Sequence, residues 1–242
     1  MTTPPVGPVL IGVGVGPGDP GLVTPKAVEV LQQADRVLAP TTSETAVGRA
    51  EAIVREAAPD VIVERIAFVM EVETAARAQA LAHAVDRIVA ALDLGERVAF
   101  ITLGDPNIYS TFSSLAEGVR AQRPEVPIEM VPGIMAFQDL AARSGTVLVD
   151  GTEHLVLVPA HAAVEGSRLA DVAADPNAAI VVYKGGRQVA EIAATLEAGD
   201  RLDGAVFGEL LGLPGARVAP LHEVADRPAS YLSTVIVPPV RP

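Results

Sequence analysis

The chain has 242 residues, half of them hydrophobic, a formal net charge of −12 and no cysteine. Such a length and apolar content support one large domain or two small ones. The acidity argues against broad binding to nucleic acid or to an anionic membrane surface, and the absence of cysteine excludes disulfides, thiolate metal sites and a cysteine nucleophile.

Aromatic residues make up 3% and tryptophan is absent, so the core must be built from small aliphatic side chains. No apolar run is long enough to span a bilayer, and no basic segment precedes an apolar stretch at the N-terminus. The expectation is a soluble, cytoplasmic protein.

In chain order, residues 9–15 read as a buried strand running into Gly12-Val13-Gly14-Val15-Gly16-Pro17-Gly18-Asp19-Pro20. Thr24 is placed to cap a helix over 25–34, with Pro25 at its first position. A short strand over 36–39, a helix over 45–58 and a strand over 61–66 follow. The apolar spacing of Ala78, Leu81, Ala82, Val85, Ile88, Val89 and Leu92 predicts a long helix over 74–92, with Gly95 at its C-terminal cap. Then come a strand over 97–103, a helix over 109–122 and a strand over 128–131. The second half alternates again: helix 134–144, strands 155–159 and 178–183, helix 188–197, and strands 205–209 and 231–237. Alternation of this kind implies an α/β fold, with a largely parallel sheet in the first half. The boundary falls near 131–133, giving an N-terminal domain over 1–131 and a C-terminal domain over 132–242.

Three strand ends carry Gly/Pro turns: the run from Gly12, then Gly104-Asp105-Pro106, then Val131-Pro132-Gly133-Ile134. In open α/β sheets ligands bind at the carboxyl ends of the strands, so three such turns point to one crevice. Gly16, Gly18 and Gly21 satisfy G-x-G-x-x-G formally, and a dinucleotide-dependent oxidoreductase is the rival reading. However, Pro17 and Pro20 remove two of the N–H donors a pyrophosphate requires, and the helix begins only after Thr24. A crevice of backbone and small side chains with few charges suits an apolar, cationic ligand such as S-adenosylmethionine better than a polyphosphate. Asp105 is either a ligand for hydroxyls or an amine, or the acceptor of an Asx-type turn; Ser110 and Thr111 either cap the next helix or bind. His83, His154, His161 and His222 have no metal-ligand spacing, and no metal is expected.

Gly14 through Thr24, Gly104–Pro106, Val131–Ile134 and the closing Tyr231-Leu232-Ser233 together resemble the tetrapyrrole (corrin/porphyrin) methylase family, in order and over nearly the whole chain. Within it, residues 102–111 and 183–188 look most like the branch that methylates C20 of precorrin-2 on the route to cobalamin. The resemblance implies two α/β domains with the cofactor cleft between them, a homodimer, and S-adenosylmethionine as methyl donor. Carried over by position, the cofactor-binding residues are Pro17, Leu103, Gly104, Asp105, Ile108, Met135, Ala136, Tyr183, Lys184 and Leu210. Met135 stands where many members have a polar residue, and Lys184 where others have Met.

The implied reaction needs no covalent nucleophile, because the meso carbon of a reduced tetrapyrrole is itself nucleophilic. Tyr109, Glu209, Tyr231 and Asp105 are the candidates for base or substrate-orienting group, Asp105 standing rather with the cofactor. The substrate is a polycarboxylate, so arginines must offset its charge; Arg187, Arg143 and Arg65 lie closest to the motifs. Phe68 and Met70 precede a helix and are either an apolar cover for the ring or an ordinary loop anchor. A cobalt-bearing substrate, or another ring carbon, is the nearest alternative.

Overall fold

The structure, a computed structural model, describes residues 7–41, 46–68, 74–165, 168–183, 185–227 and 229–241. Met70 and Lys184 lie outside the described residues. The chain divides into two compact units, 1–135 and 136–242.

The first unit runs β1 (Val9–Gly14), α1 (Pro25–Gln33), β2 (Arg36–Thr41), α2 (Arg49–Ala57), β3 (Val63–Ala67), α3 (Thr74–Asp93), β4 (Arg97–Thr102), α4 (Phe112–Gln122) and β5 (Ile128–Val131). The strands form one parallel sheet in the order β3-β2-β4-β1-β5. Strand periodicity sorts β1 onto two faces. Val9, Ile11 and Val13 pack with Ala27, Val30 and Leu31 of α1 and Ile53 and Val54 of α2. Leu10 packs on the other face with Val85 and Ile88 of α3 and Leu115 and Val119 of α4. The ring of Phe112 fills the space where a Cβ on Gly12 would stand, so that strand position requires glycine.

Local chemistry sets the boundaries. Thr24 Oγ1 accepts the Ala27 N–H at 3.1 Å and Pro25 opens α1, as its sequence dictates. Gly95, at φ +84, ends the turn after α3 and donates to Leu92 O. The buried stripe of α3 is Ala84, Val85, Ile88, Val89, Ala91 and Leu92; Ala78 and Ala82, expected on it, are exposed. Helix α4 starts at Phe112 and not at 109, because Tyr109 adopts φ +50, which is incompatible with a right-handed helix. Ser110 Oγ accepts the Phe112 N–H at 3.1 Å.

Helix α2 carries a fully buried carboxylate. Glu51 accepts Arg65 Nε at 2.7 Å and Nη2 at 2.9 Å, and Arg55 Nη2 at 2.6 Å. The hydrogen bonds from Arg65 hold its carboxyl below the usual carboxylate range against the opposing effect of burial.

The second unit runs α5 (Ala136–Ser144), β6 (His154–Pro159), α6 (Ala160–Glu165), α7 (Arg168–Ala173), β7 (Ala178–Tyr183), α8 (Val189–Ala198), β8 (Val206–Glu209), β9 (Arg217–Pro220) and β10 (Ser233–Val237). Its sheet is mixed, in the order β6-β7-β10-β8-β9, with β10 antiparallel to both neighbours. Val158, Ile180, Val182, Phe207, Val235 and Val237 form its core with Ile192 and Leu196 of α8. The short helices α6 and α7 have no counterpart in the sequence reading, since six residues are too few for a helical period to register, and the edge strand β9 has none because its four residues run from a charged Arg217 to Pro220. Arg201, 4% exposed, donates to four backbone carbonyls at 2.8–3.1 Å, those of Ala173, Asp175, Ala178 and Pro238. It ties the end of α7 to the start of β7 and to the segment after β10.

Candidate functional site

The turns after β1, β4 and β5 meet at a junction of three glycines. A Cβ on Gly14 would fall 2.6 Å from Gly133 N, and one on Gly133 would fall 2.8 Å from Gly14 Cα; both would collide with Gly104 O. Gly104, at φ +66, donates its N–H to Gly16 O at 2.9 Å, so the first and second turns are bonded through their backbones. Only residues without a Cβ permit this approach.

Asp105 joins the second turn to the third. Its Oδ2 accepts the Gly133 N–H at 3.1 Å and its Oδ1 accepts the Asn107 N–H at 2.8 Å. The second bond is the Asx-type turn foreseen as one reading of this residue. The first spans 28 positions of sequence and was not foreseen, since nothing in a single sequence links Asp105 to Gly133. Asp105 is 8% exposed.

Around this junction, Pro17 and Gly104 are buried, Leu103 and Ile108 are partly exposed, and Tyr109 is 46% exposed in its left-handed conformation. The Met135 side chain is buried with its sulfur over Gly104, 2.8 Å from where a Cβ there would stand. A thioether thus lines the second turn. Asp19 caps the turn Pro20–Leu22 by accepting the Gly21 N–H, and α1 begins four residues after Pro20's neighbour Gly21 is so engaged, at Pro25. The Gly16-Gly18-Gly21 pattern therefore does not deliver a helix N-terminus to a pyrophosphate.

A second group of loops gathers at one end of the second unit's sheet. Tyr183 ends β7 buried, its ring edge-on to Phe137 at 6.3 Å. Leu210 follows β8 at φ +52 and donates to Leu232 O at 3.1 Å. Tyr231, preceding β10, is 50% exposed. Gly186 lies directly beneath Ser230 O, where a Cβ would collide with the carbonyl. Glu209 accepts the Ser230 N–H at 2.7 Å and Arg217 Nη2 at 2.9 Å, so both of its oxygens are engaged. Ala136 opens α5.

Of the arginines, Arg65 is committed to Glu51, and exposed Arg143 pairs through Nε with buried Asp139 at 2.8 Å. Arg187 is exposed and makes no ion pair among the described residues. Phe68 is 8% exposed and edge-on to Phe100 at 6.1 Å, so its burial supports the loop-anchor alternative. His83, His161 and His222 are exposed, and His154 lies 3.4 Å from Asp175. No group of three or more His, Cys, Asp or Glu side chains among the described residues is arranged to hold a metal ion.

The donor set fits S-adenosylmethionine. A cradle of glycine backbone, apolar side chains and one carboxylate matches an adenosine and a sulfonium, and would serve a polyphosphate poorly.

The chain is 35% identical over 240 residues to "Precorrin-2 C(20)-methyltransferase" of Sinorhizobium sp, covering 95% of this chain and 94% of that one. It is 33% identical to "Cobalamin biosynthesis protein CobIJ" of Mycobacterium tuberculosis (strain ATCC 25618 / H37Rv), covering 95% of this chain and 46% of that protein, about half its length. It is 29% identical to "Cobalt-precorrin-2 C(20)-methyltransferase" of Salmonella typhimurium, covering 94% and 95%. The solved structure of cobalt precorrin-4 methyltransferase CbiF superposes with a TM-score of 0.72 at 20% identity, over 95% of this chain and 94% of that one, which shows the shared fold. Residues 9–225 match the family described as Tetrapyrrole (Corrin/Porphyrin) Methylases, and the chain belongs to that family of S-adenosylmethionine-dependent methyltransferases.

Proposed function

We propose that this protein transfers a methyl group from S-adenosylmethionine to C20 of precorrin-2, giving precorrin-3A and S-adenosylhomocysteine. The observation that carries the reading is the junction of Gly14, Gly104 and Gly133, which builds a neutral backbone cradle from three strand ends. The likeness to relatives named as C20-methyltransferases supports the choice of ring carbon.

The cofactor supplies an electrophilic methyl on a sulfonium. In the proposed reaction C20 would take up that methyl as the S–CH3 bond breaks and its pair leaves with sulfur, and loss of the C20 proton to solvent or a ring nitrogen would restore conjugation. The protein's part is to hold the methyl in line with C20 and to exclude water; orientation of that kind is worth up to about 7–11 kcal/mol.

Pro17, Leu103, Gly104, Ile108, Met135 and Ala136 are proposed to hold the cofactor, with Asp105 fixing the turns that present them. Tyr183 and Leu210 are added to that set from the second unit. Tyr109 and Tyr231, both exposed, are proposed to meet the substrate near the reacting carbon. Arg187, with its charge uncommitted among the described residues, is proposed to bind a substrate carboxylate, with Arg143 as a weaker partner because Asp139 already holds its Nε. A cytoplasmic homodimer completes the proposal.

Calorimetric titration with S-adenosylmethionine and with NAD(P), followed by anaerobic incubation with precorrin-2, tests it. Saturable binding of S-adenosylmethionine alone and a product heavier by one methyl group support it. Binding of NAD(P) in its place would overturn it. Transfer only to cobalt-precorrin-2 would move the protein to a metal-bearing substrate.

A further inference from the structure

Glu209 stands at the crossing of the three segments that carry Arg187, Leu210 and Tyr231. It is the last residue of β8, 13% exposed at the side chain, and pairs across the sheet with Ser233 on one side and Arg217 on the other. Its Oε2 takes the Ser230 N–H at 2.7 Å, and its Oε1 takes Arg217 Nη2 at 2.9 Å. The Arg217 guanidinium is itself held over the face of buried Phe207, 5.4 Å from the ring centroid. Ser230 in turn donates its N–H to Glu209 and accepts the Leu232 N–H on its Oγ at 3.2 Å, and its carbonyl sits where a Cβ on Gly186 would stand. The residue after Glu209, Leu210, holds φ +52, a conformation that costs a non-glycine residue energy and persists only where its surroundings impose it.

We infer that Glu209 is a positioning residue: its carboxylate, fixed by Arg217, pins the Ser230 amide and thereby sets the backbone of Leu210, the exposed ring of Tyr231 and the loop that bears Arg187. One donor on each oxygen fixes the carboxylate's orientation towards the loop and Arg217. The functional part of this inference rests on the proposed methyltransferase activity; the clamp itself does not.

Three variants test it on the full-length protein: Glu209→Ala, which deletes the clamp; Glu209→Gln, which keeps an acceptor for Ser230; and Arg217→Met, which keeps the packing on Phe207. Hydrogen exchange at the Ser230 amide reads the clamp with no ligand present. Loss of a hydrogen bond to a charged group predicts exchange and the KM values for S-adenosylmethionine and precorrin-2 raised roughly tenfold or more in Glu209→Ala, with kcat at saturation changed less than about threefold. Glu209→Gln should restore most of the loss, and Arg217→Met should fall between. If Glu209→Ala does not fold, the other two variants carry the same readouts. Unchanged Ser230 exchange would overturn the inference. So would a fall in kcat of about a hundredfold or more in both Glu209 variants with a flattened pH profile, the signature of a general base. Failure of the wild-type protein to bind S-adenosylmethionine would sink the proposed activity while leaving the exchange result to judge the clamp.

Discussion

Replacing Gly133 by alanine introduces one methyl group at the point where three turns touch. That Cβ would collide with Gly104 O and fall 2.8 Å from Gly14 Cα. All the obstructing atoms are backbone, so no rotamer change relieves the overlap, and the third turn must move as a body. Overpacking of this kind costs about 1–3 kcal/mol. Displacing Gly133 also stretches its hydrogen bond to the buried Asp105 carboxylate, worth about 1.5–3 kcal/mol. The sum, about 3–6 kcal/mol, would lower the melting transition of the first unit by roughly 10–20 °C. Gly95→Ala is the matched control: at φ +84 with no atom within 4 Å, it incurs only left-handed backbone strain, about 1–2 kcal/mol. Scanning calorimetry with and without S-adenosylmethionine measures both. If Gly133→Ala melts within about 2 °C of wild type and binds the cofactor equally well, the close approach of the turns is not real and the argument from it fails.

Arg201→Met should destabilise the second unit by at least about 3 kcal/mol in urea titration, because four carbonyls, two of them in fully buried bonds, lose their donor together; stability equal to wild type would refute that role. For Glu51 the sign follows from a lowered native carboxyl: its stabilisation is complete above the unfolded value, about 4.3, and is lost as pH falls through the lower folded value. The urea-midpoint gap between wild type and Glu51→Gln should therefore shrink on acidification from pH 7 towards 3, and a constant gap would contradict it. Tyr109→Gly should change stability by no more than about 1–2 kcal/mol, since it removes left-handed strain, yet lower methyl transfer; unchanged turnover would remove Tyr109 from the site.

The parallel sheet of the first unit was legible because its central strands β1 and β4 are nearly continuous apolar runs and its helices carry plain caps: Thr24, Pro25 and Gly95 do what their chemistry dictates. The meeting of three turns was also legible, from the recurrence of Gly and Pro at strand ends. What joins them was not. Asp105 reaches Gly133 through space, and Glu209 reaches Ser230 and Arg217 across a mixed sheet, and a sequence read residue by residue contains neither distance. The left-handed turn at Tyr109 was hidden because its residue type gives no sign of it. Helices α6 and α7 escaped because six residues cannot display a helical period, and strand β9 because Arg217 and Pro220 bound its two apolar residues.

The carbon that receives the methyl distinguishes this enzyme from others of its family. Anaerobic incubation of the protein with precorrin-2 and S-adenosylmethionine carrying a carbon-13 methyl, followed by carbon NMR of the product, identifies that carbon. A single labelled methyl at C20 is expected. Label at another ring carbon, or no label on precorrin-2 or cobalt-precorrin-2 despite measured cofactor binding, would contradict it.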